Sequence, residues 1–147
     1  MTTEFKIPKP LPSPTEDSKP FWDACQKQEL LLQKCNDCGF YRFPPSVLCP
    51  RCMSTNFQRI KASGKAKIFS YQVTYQAFYP AWDTPYVVAI VELEEGPRMH
   101  SNIVGCKIED IRIDMPVELV FEKVEAQEWY LPRFKSSLKR TGKGNSK

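Results

Sequence analysis

No stretch of this chain approaches the roughly 20 consecutive apolar residues that a membrane-spanning helix needs. No span is therefore expected. The segment MTTEFKIPKPLPSPTEDSKP has neither the apolar run nor the small-residue cleavage site of a secretory signal, so a soluble, cytoplasmic chain is the expectation. Glycine occurs only six times, scattered over 147 residues, which leaves no glycine-rich loop to cradle a phosphate. Histidine occurs once, at His100, in an expected strand, where a structural role is the expectation over that of a general base. Internal repeats are absent as well. A self-contained catalytic set is missing from the sequence.

What the chain does hold is cysteine, proline and aromatic residues. Six cysteines and thirteen prolines stand among 147 residues, of which 41% are hydrophobic and 12% aromatic. Four of the cysteines form two close pairs, and in a reducing compartment such pairs point to metal rather than to disulfides. The other two are Cys25, on the apolar face of a short expected helix and so an inert buried thiol, and Cys106, which follows Gly105 at an expected strand end.

The formal charge of +4 is unevenly spread. Residues 34–67 carry seven basic side chains against Asp37 alone, whereas residues 68–134 carry five basic against eleven acidic ones. Residues 135–147 add five basic side chains and no acid. Four thiolates on one divalent ion would lower the charge of the middle region to about +4.

Composition divides the chain into four parts. Residues 1–33 should be a proline-rich extended arm ending in a short helix, with Ser18 as its cap, Pro20 in its first turn, and Phe21, Trp22 and Cys25 buried. Leu30, Leu31 and Leu32 read as a strand leading into Cys35. Residues 34–61 form the metal module, residues 62–134 a barrel, and residues 135–147 a basic tail expected to be disordered. The barrel strands are expected over Gly64 to Tyr79, Pro85 to Leu93, Arg98 to Val104, Met115 to Val124 and Gln127 to Phe134, with an irregular crossing over residues 107–114. Alternation in the first strand is imperfect, since Ile68, Tyr71, Val73 and Tyr75 do not keep one parity. Five short strands with one longer crossing suit a mainly β chain built on a five-stranded OB-fold barrel. An SH3-like barrel fits the same strand count.

Cys35, Cys38, Cys49 and Cys52 follow the pattern Cys-x2-Cys-x10-Cys-x2-Cys. Two residues between paired thiolates let both sulfurs reach one ion about 2.3 Å away while nearby amides turn toward the sulfurs. Gly39 can take the positive φ that such a knuckle needs. One structural zinc ion in a rubredoxin-like ribbon is the reading; iron in the same ribbon is the alternative, weakened by Met53 where the second knuckle glycine of an iron site usually stands. Four protein ligands leave no open coordination position for catalysis.

Aromatic and cationic side chains supply the remaining candidates. Tyr41, Arg42 and Phe43 occupy the ribbon loop, and Arg51 and Lys65 lie nearby in sequence. Phe78, Tyr79, Trp82 and Tyr86 flank a loop with Pro80 and Pro85 at its margins, between the first two barrel strands, and it suits docking because rigid rings lose little entropy on binding.

The segments FWDACQKQELLLQKCNDCGFYRFPPSVLCPRC, SGKAKIFSYQVTY, PYVVAIVELEEG and MPVELVFE together resemble the family catalogued as domain of unknown function 35. The likeness spans about residues 18–134. It implies a helical arm, a rubredoxin-like zinc ribbon and an OB-fold. It further implies an accessory protein associated with acyl-CoA and partnered with a thiolase-like or ketosynthase-like catalytic subunit. By that resemblance Tyr41, Arg42, Phe43, Arg51, Lys65, Phe78, Tyr79 and Trp82 become candidates for coenzyme A binding or partner docking, with the CoA ester shared between subunits. Two other classes remain open: a nucleic-acid-binding ribbon and OB module, disfavoured by the acidic barrel, and a stand-alone acyl-CoA binder.

Overall fold

A computed structural model describes residues 10–124 and 129–138. The expected extended arm lies partly, and the basic tail from residue 139 wholly, outside the described residues. Residues 10–15 carry no regular element. Helix α1 (Lys19–Gln26) begins with Pro20 in its first turn. Ser18 occupies the N-cap position, but its hydroxyl bonds Thr15 N at 2.8 Å instead of a helix amide. The neighbouring Thr15 carbonyl accepts from Lys19 N at 2.8 Å, so a preceding turn takes over the cap's role.

Strands β1 (Leu31–Cys35), β2 (Tyr41–Arg42) and β3 (Phe57–Lys61) form an antiparallel sheet in the order β2-β1-β3. Strands β4 (Lys65–Thr74), β5 (Tyr86–Leu93), β6 (Arg98–Ile103), β7 (Pro116–Lys123) and β8 (Tyr130–Ser136) close a barrel in the order β4-β5-β6-β8-β7. A 3₁₀ turn over Ile108–Asp110 makes the crossing between β6 and β7. Closure comes from a parallel contact of β6 with β8, Ile103 opposite Phe134, and an antiparallel one of β4 with β7. This Greek-key order is that of the OB barrel, so the strand order decides what strand count alone left open.

Two expectations about the barrel strands need correction. The first strand stops at Thr74 rather than Tyr79, and residues 75–85 form a loop. The last strand runs to Ser136, so Lys135 and Ser136 lie within it, with Lys135 Nζ 3.6 Å from Glu118 Oε1. A bulge in β4 explains the imperfect alternation. Ile68 pairs with Val91 and Ser70 with Ile90, leaving Phe69 as the extra residue. Parity flips at that point, so Ile68 and Tyr71 fall on one side of the strand, opposite Val91 and Ala89, with Ile68 buried and Tyr71 38% exposed.

A continuous apolar core joins the ribbon half to the barrel. Phe21 and Cys25 of α1, Leu30 and Leu32 before and in β1, and Ile68, Val91, Val117 and Phe134 of the barrel belong to one buried cluster. Fully burying side chains of this size is worth about 1.5–3 kcal/mol each. Phe21 also meets Phe43 with ring centroids 5.4 Å apart, and Trp22 meets Trp129 at 6.0 Å. Gln26 Oε1 accepts from Tyr130 N at 3.0 Å, fixing α1 to the start of β8. At the junction between the two halves, Gly64 has φ +87° and a Cβ there would lie 3.3 Å from Leu119 Cβ. Its carbonyl accepts from Leu119 N at 2.8 Å, so glycine permits the close approach of β7.

Candidate metal centre and surrounding surface

The two cysteine pairs are built alike. Gly39 N donates to Cys35 O at 2.9 Å, and Met53 N donates to Cys49 O at 2.8 Å. Both residues lie in the left-handed region, Gly39 at φ +76° and Met53 at φ +65°. Met53 thus adopts the conformation that Gly39 reaches without strain, and its side chain is exposed. Asp37 and Ser54 hydrogen-bond across the two knuckles.

All four Sγ atoms lie within 4.8 Å of one another. Cys35 Sγ is 3.5 Å from Cys52 Sγ, and Cys38 Sγ is 3.6 Å from Cys49 Sγ. The edge of a tetrahedron of sulfurs around zinc is about 3.8 Å when each bond is about 2.3 Å. The donor set therefore fits one tetrahedral ion of zinc type. Cys35 and Cys49 are buried while Cys38 and Cys52 are exposed. Backbone amides lower the first thiol of each knuckle: Cys38 N–H chiefly for Cys35, and, against burial, those of Arg51 and Cys52 for Cys49, which falls to about 6. Amides aimed at sulfur favour the thiolate that a metal requires.

The other sequence candidates occupy separate environments. Arg42 is buried, with Nε donating to Gln33 Oε1 at 2.7 Å, Nη2 donating to Ser46 O at 2.7 Å, and its guanidinium 4.7 Å from the Phe57 ring centre. Arg59 approaches the same ring at 5.3 Å. Tyr41 is half-buried beneath Lys34, and Phe43 packs against the core. Arg51 is exposed, 5.5 Å from the Phe40 ring. Lys65 lines an open groove of about 600 Å³ together with Lys61, Leu30, Leu119 and Phe121. In the loop after β4, Phe78 is 93% exposed, while Tyr79 and Trp82 meet at 6.4 Å.

Gln33 carries no signal in the sequence, and Glu95 reads there as a solvated turn charge, yet both fix this surface. Glu95 Oε2 accepts from Ser63 N at 2.7 Å and so ties the turn after β5 to the segment joining ribbon and barrel. A glutamine between leucine and lysine, or a glutamate in a turn, carries no distinguishing signal. Cys25 is fully buried and its thiol is pushed up to about 12 by burial, as an inert thiol should be. His100 is exposed on β6. Among the described residues no helix is long and apolar enough to cross a membrane.

Comparison with known proteins matches both halves. Residues 22–58 match the ChsH2 rubredoxin-like zinc ribbon domain, and residues 60–122 match the ChsH2 C-terminal OB-fold domain. A DUF35 domain-containing scaffold protein of Methanocaldococcus jannaschii is 45% identical over 98 residues, covering 65% of this chain and 70% of that one. A probable enoyl-CoA hydratase alpha subunit of Thermomonospora curvata is 37% identical over 134 residues, covering 90% of this chain and 41% of that one. The chain therefore spans about two fifths of that longer relative. The benzoylsuccinyl-CoA thiolase subunit BbsA of Geobacter metallireducens is 27% identical over 107 residues, covering 73% of this chain and 71% of that one. A solved structure described as Ltp2-ChsH2(DUF35) aldolase superposes with a TM-score of 0.80 at 35% identity, covering 87% of this chain and all of that chain.

Proposed function

Because this chain belongs to the DUF35 family, with its ChsH2-type zinc ribbon and OB-fold, we propose that it is a non-catalytic accessory subunit of an acyl-CoA-processing complex. Its partner in this reading is a thiolase-type catalytic subunit, which supplies the reacting groups. The observation that carries the reading is the closed four-cysteine cluster set into a core continuous with the barrel. Such a centre holds shape and offers no open position to a substrate. The names of the relatives agree: one is a hydratase alpha subunit, one a thiolase subunit and one a scaffold protein.

In this proposal one zinc ion is held by Cys35, Cys38, Cys49 and Cys52 and secures the ribbon. The CoA ester lies between the two subunits, and this chain contributes surface to it. Lys65, which lines the groove between ribbon and barrel together with Lys61, Glu29 and Glu118, is the cation suited to the 3′-phospho-ADP end of CoA, while Lys61 Nζ lies 4.0 Å from Glu29 Oε1. Arg42 contributes indirectly, since its guanidinium is engaged with Gln33 and Ser46. A location in the cytoplasm belongs to the same proposal.

Co-expression with a thiolase-type catalytic subunit, sought among the reading frames adjoining this one, tests the reading. A stable complex is expected, with acyl-CoA turnover lost when this chain is omitted. Full activity of the partner alone would overturn it.

A further inference from the structure

An ion held by four thiolates leaves only by shedding them in turn, so its residence time depends on how far the two cysteine knuckles can part. Both short sulfur contacts cross from one knuckle to the other, Cys35 to Cys52 and Cys38 to Cys49. Cys38 and Cys52 are the exposed pair, on the side from which a competing ligand would come. The bonds inside each knuckle, Gly39 N to Cys35 O and Met53 N to Cys49 O, order that knuckle but do not tie it to the other.

Outside the sulfurs, a closed ring of hydrogen bonds makes that tie. Asn36 and Asp37 are the two residues between Cys35 and Cys38, while Ser54 and Asn56 follow shortly after Cys52. The Ser54 hydroxyl donates to Asp37 Oδ2 and accepts from Asn56 N at 3.0 Å. Asn36 completes the ring twice, with Nδ2 donating to Asn56 Oδ1 and its backbone N–H donating to Asn56 O, each at 2.9 Å. Ser54 O also accepts from Cys49 N at 2.9 Å, so this one residue holds both knuckles. Asp37 is the single acid among residues 34–67. Among the described residues it makes no ion pair with the cations around it, and its carboxylate is given instead to the hydroxyl of the opposite knuckle.

We propose that Asn36, Asp37, Ser54 and Asn56 form a latch that sets the rate at which the ribbon gives up its metal. The proposal rests on the zinc reading of the four cysteines and concerns how long the ion stays. The four are positioning residues, and none is a ligand. Surface substitutions shift global stability little, so loss of the latch acts on local opening of the knuckles and not on unfolding of the chain. Outer-shell groups that orient ligating side chains tune metal retention in this way.

The test mixes the zinc-loaded full chain with excess chromophoric chelator and follows release by absorbance. Ser54→Ala and Asp37→Ala should each release zinc about fivefold faster than wild type, the weight of one hydrogen bond. Because the two share a bond, the double variant should release no faster than Ser54→Ala. Ser54→Thr, which keeps the hydroxyl, should restore slow release. Glu92→Gln, which weakens the barrel far from the knuckles, should release at the wild-type rate. Cobalt(II)-substituted Ser54→Ala should keep the visible spectrum of four-thiolate coordination, showing the ligand set intact. Unchanged release in Ser54→Ala and Asp37→Ala overturns the latch alone. Release that follows the denaturation midpoint across all variants, Glu92→Gln included, makes the ring merely structural and overturns it as well. A wild-type chain that holds no zinc and gives no four-thiolate cobalt spectrum overturns the zinc reading itself.

Discussion

Gln33 Oε1 accepts two hydrogen bonds at once, from Arg42 Nε at 2.7 Å and from Ser46 N at 2.9 Å. Both Gln33 and Arg42 are buried. The pair clasps the ribbon loop that leads from the first cysteine knuckle to the second, because Arg42 also holds the Ser46 carbonyl. A hydrogen bond to a charged group is worth about 1.5–3 kcal/mol, and removing one partner leaves a buried donor unmet. Gln33→Ala should therefore lower stability by about 2–3 kcal/mol. Denaturant titration of the zinc-loaded protein should show a lower midpoint; an unchanged midpoint would show that the clasp does not hold the loop.

Metal removal should act on the fold before it acts on any partner. Elemental analysis is expected to give one zinc per chain. Cys38→Ser, which removes one of the two exposed ligands, should reduce that content and loosen the ribbon. Near-ultraviolet circular dichroism would follow the change. Full zinc content in Cys38→Ser would contradict the ligand set, and a red iron-loaded protein would contradict the choice of metal.

Thiol labelling separates the two cysteines outside the cluster. Burial pushes the Cys25 thiol up to about 12, leaving almost no thiolate at pH 8. Cys106 is only half-buried. In the zinc-loaded native chain, alkylation should mark Cys106 first and Cys25 only after unfolding. Mass mapping of labelled peptides reads the order, and early labelling of Cys25 would contradict the packing of α1 against the barrel.

Glu92 sets a pH dependence with a definite sign. Its hydrogen bond to Lys67 lowers its pKa, opposed by burial and assisted by Arg98. The folded value is therefore below the unfolded one, about 4.3. Its stabilising contribution is present above the unfolded value and is lost as pH falls through the folded value. Glu92→Gln should be less stable than wild type at neutral pH and converge with it in acid. A stability gap independent of pH would contradict the assignment.

Replacing Phe134, the largest fully buried side chain of β8, tests the barrel closure. Phe134→Ala should lower stability by about 3–5 kcal/mol. Thermal unfolding measures it, and a loss comparable with that of a surface substitution would contradict the closure at Ile103.

The four cysteines and the barrel strands were legible because their signals are local: spacing for the metal, short apolar runs between turn residues for the strands. The bulge at Phe69 was visible only as broken alternation, since the extra residue is defined by pairing with β5 and not by its own identity. Ser18 was read as a cap from residue type, and position agrees; its hydroxyl bonds Thr15 because the preceding turn competes for it. Arg42 looked like a surface cation among many. Its burial depends on Gln33, nine positions earlier in the neighbouring strand, a relation set by strand pairing and not by residue type. The outer row Tyr86, Val88 and Ile90 was recorded as a strongly apolar strand, but only the register shows which half of it is left outside the core.

The bond from Tyr130 N to Gln26 Oε1 also orders events in time, since it spans 104 positions of sequence. A ribosome adding about 5–20 residues per second needs roughly 5–20 s to pass from one to the other. During that interval α1 has emerged without β8 to lie against, and Trp22 without Trp129. The cysteine knuckles, all complete by Cys52, can take up metal while the barrel is still being made. Synthesis thus separates a ribbon that can settle early from a helix that must wait for the last strand, and shortage of zinc during that wait would leave both apolar surfaces open to aggregation together.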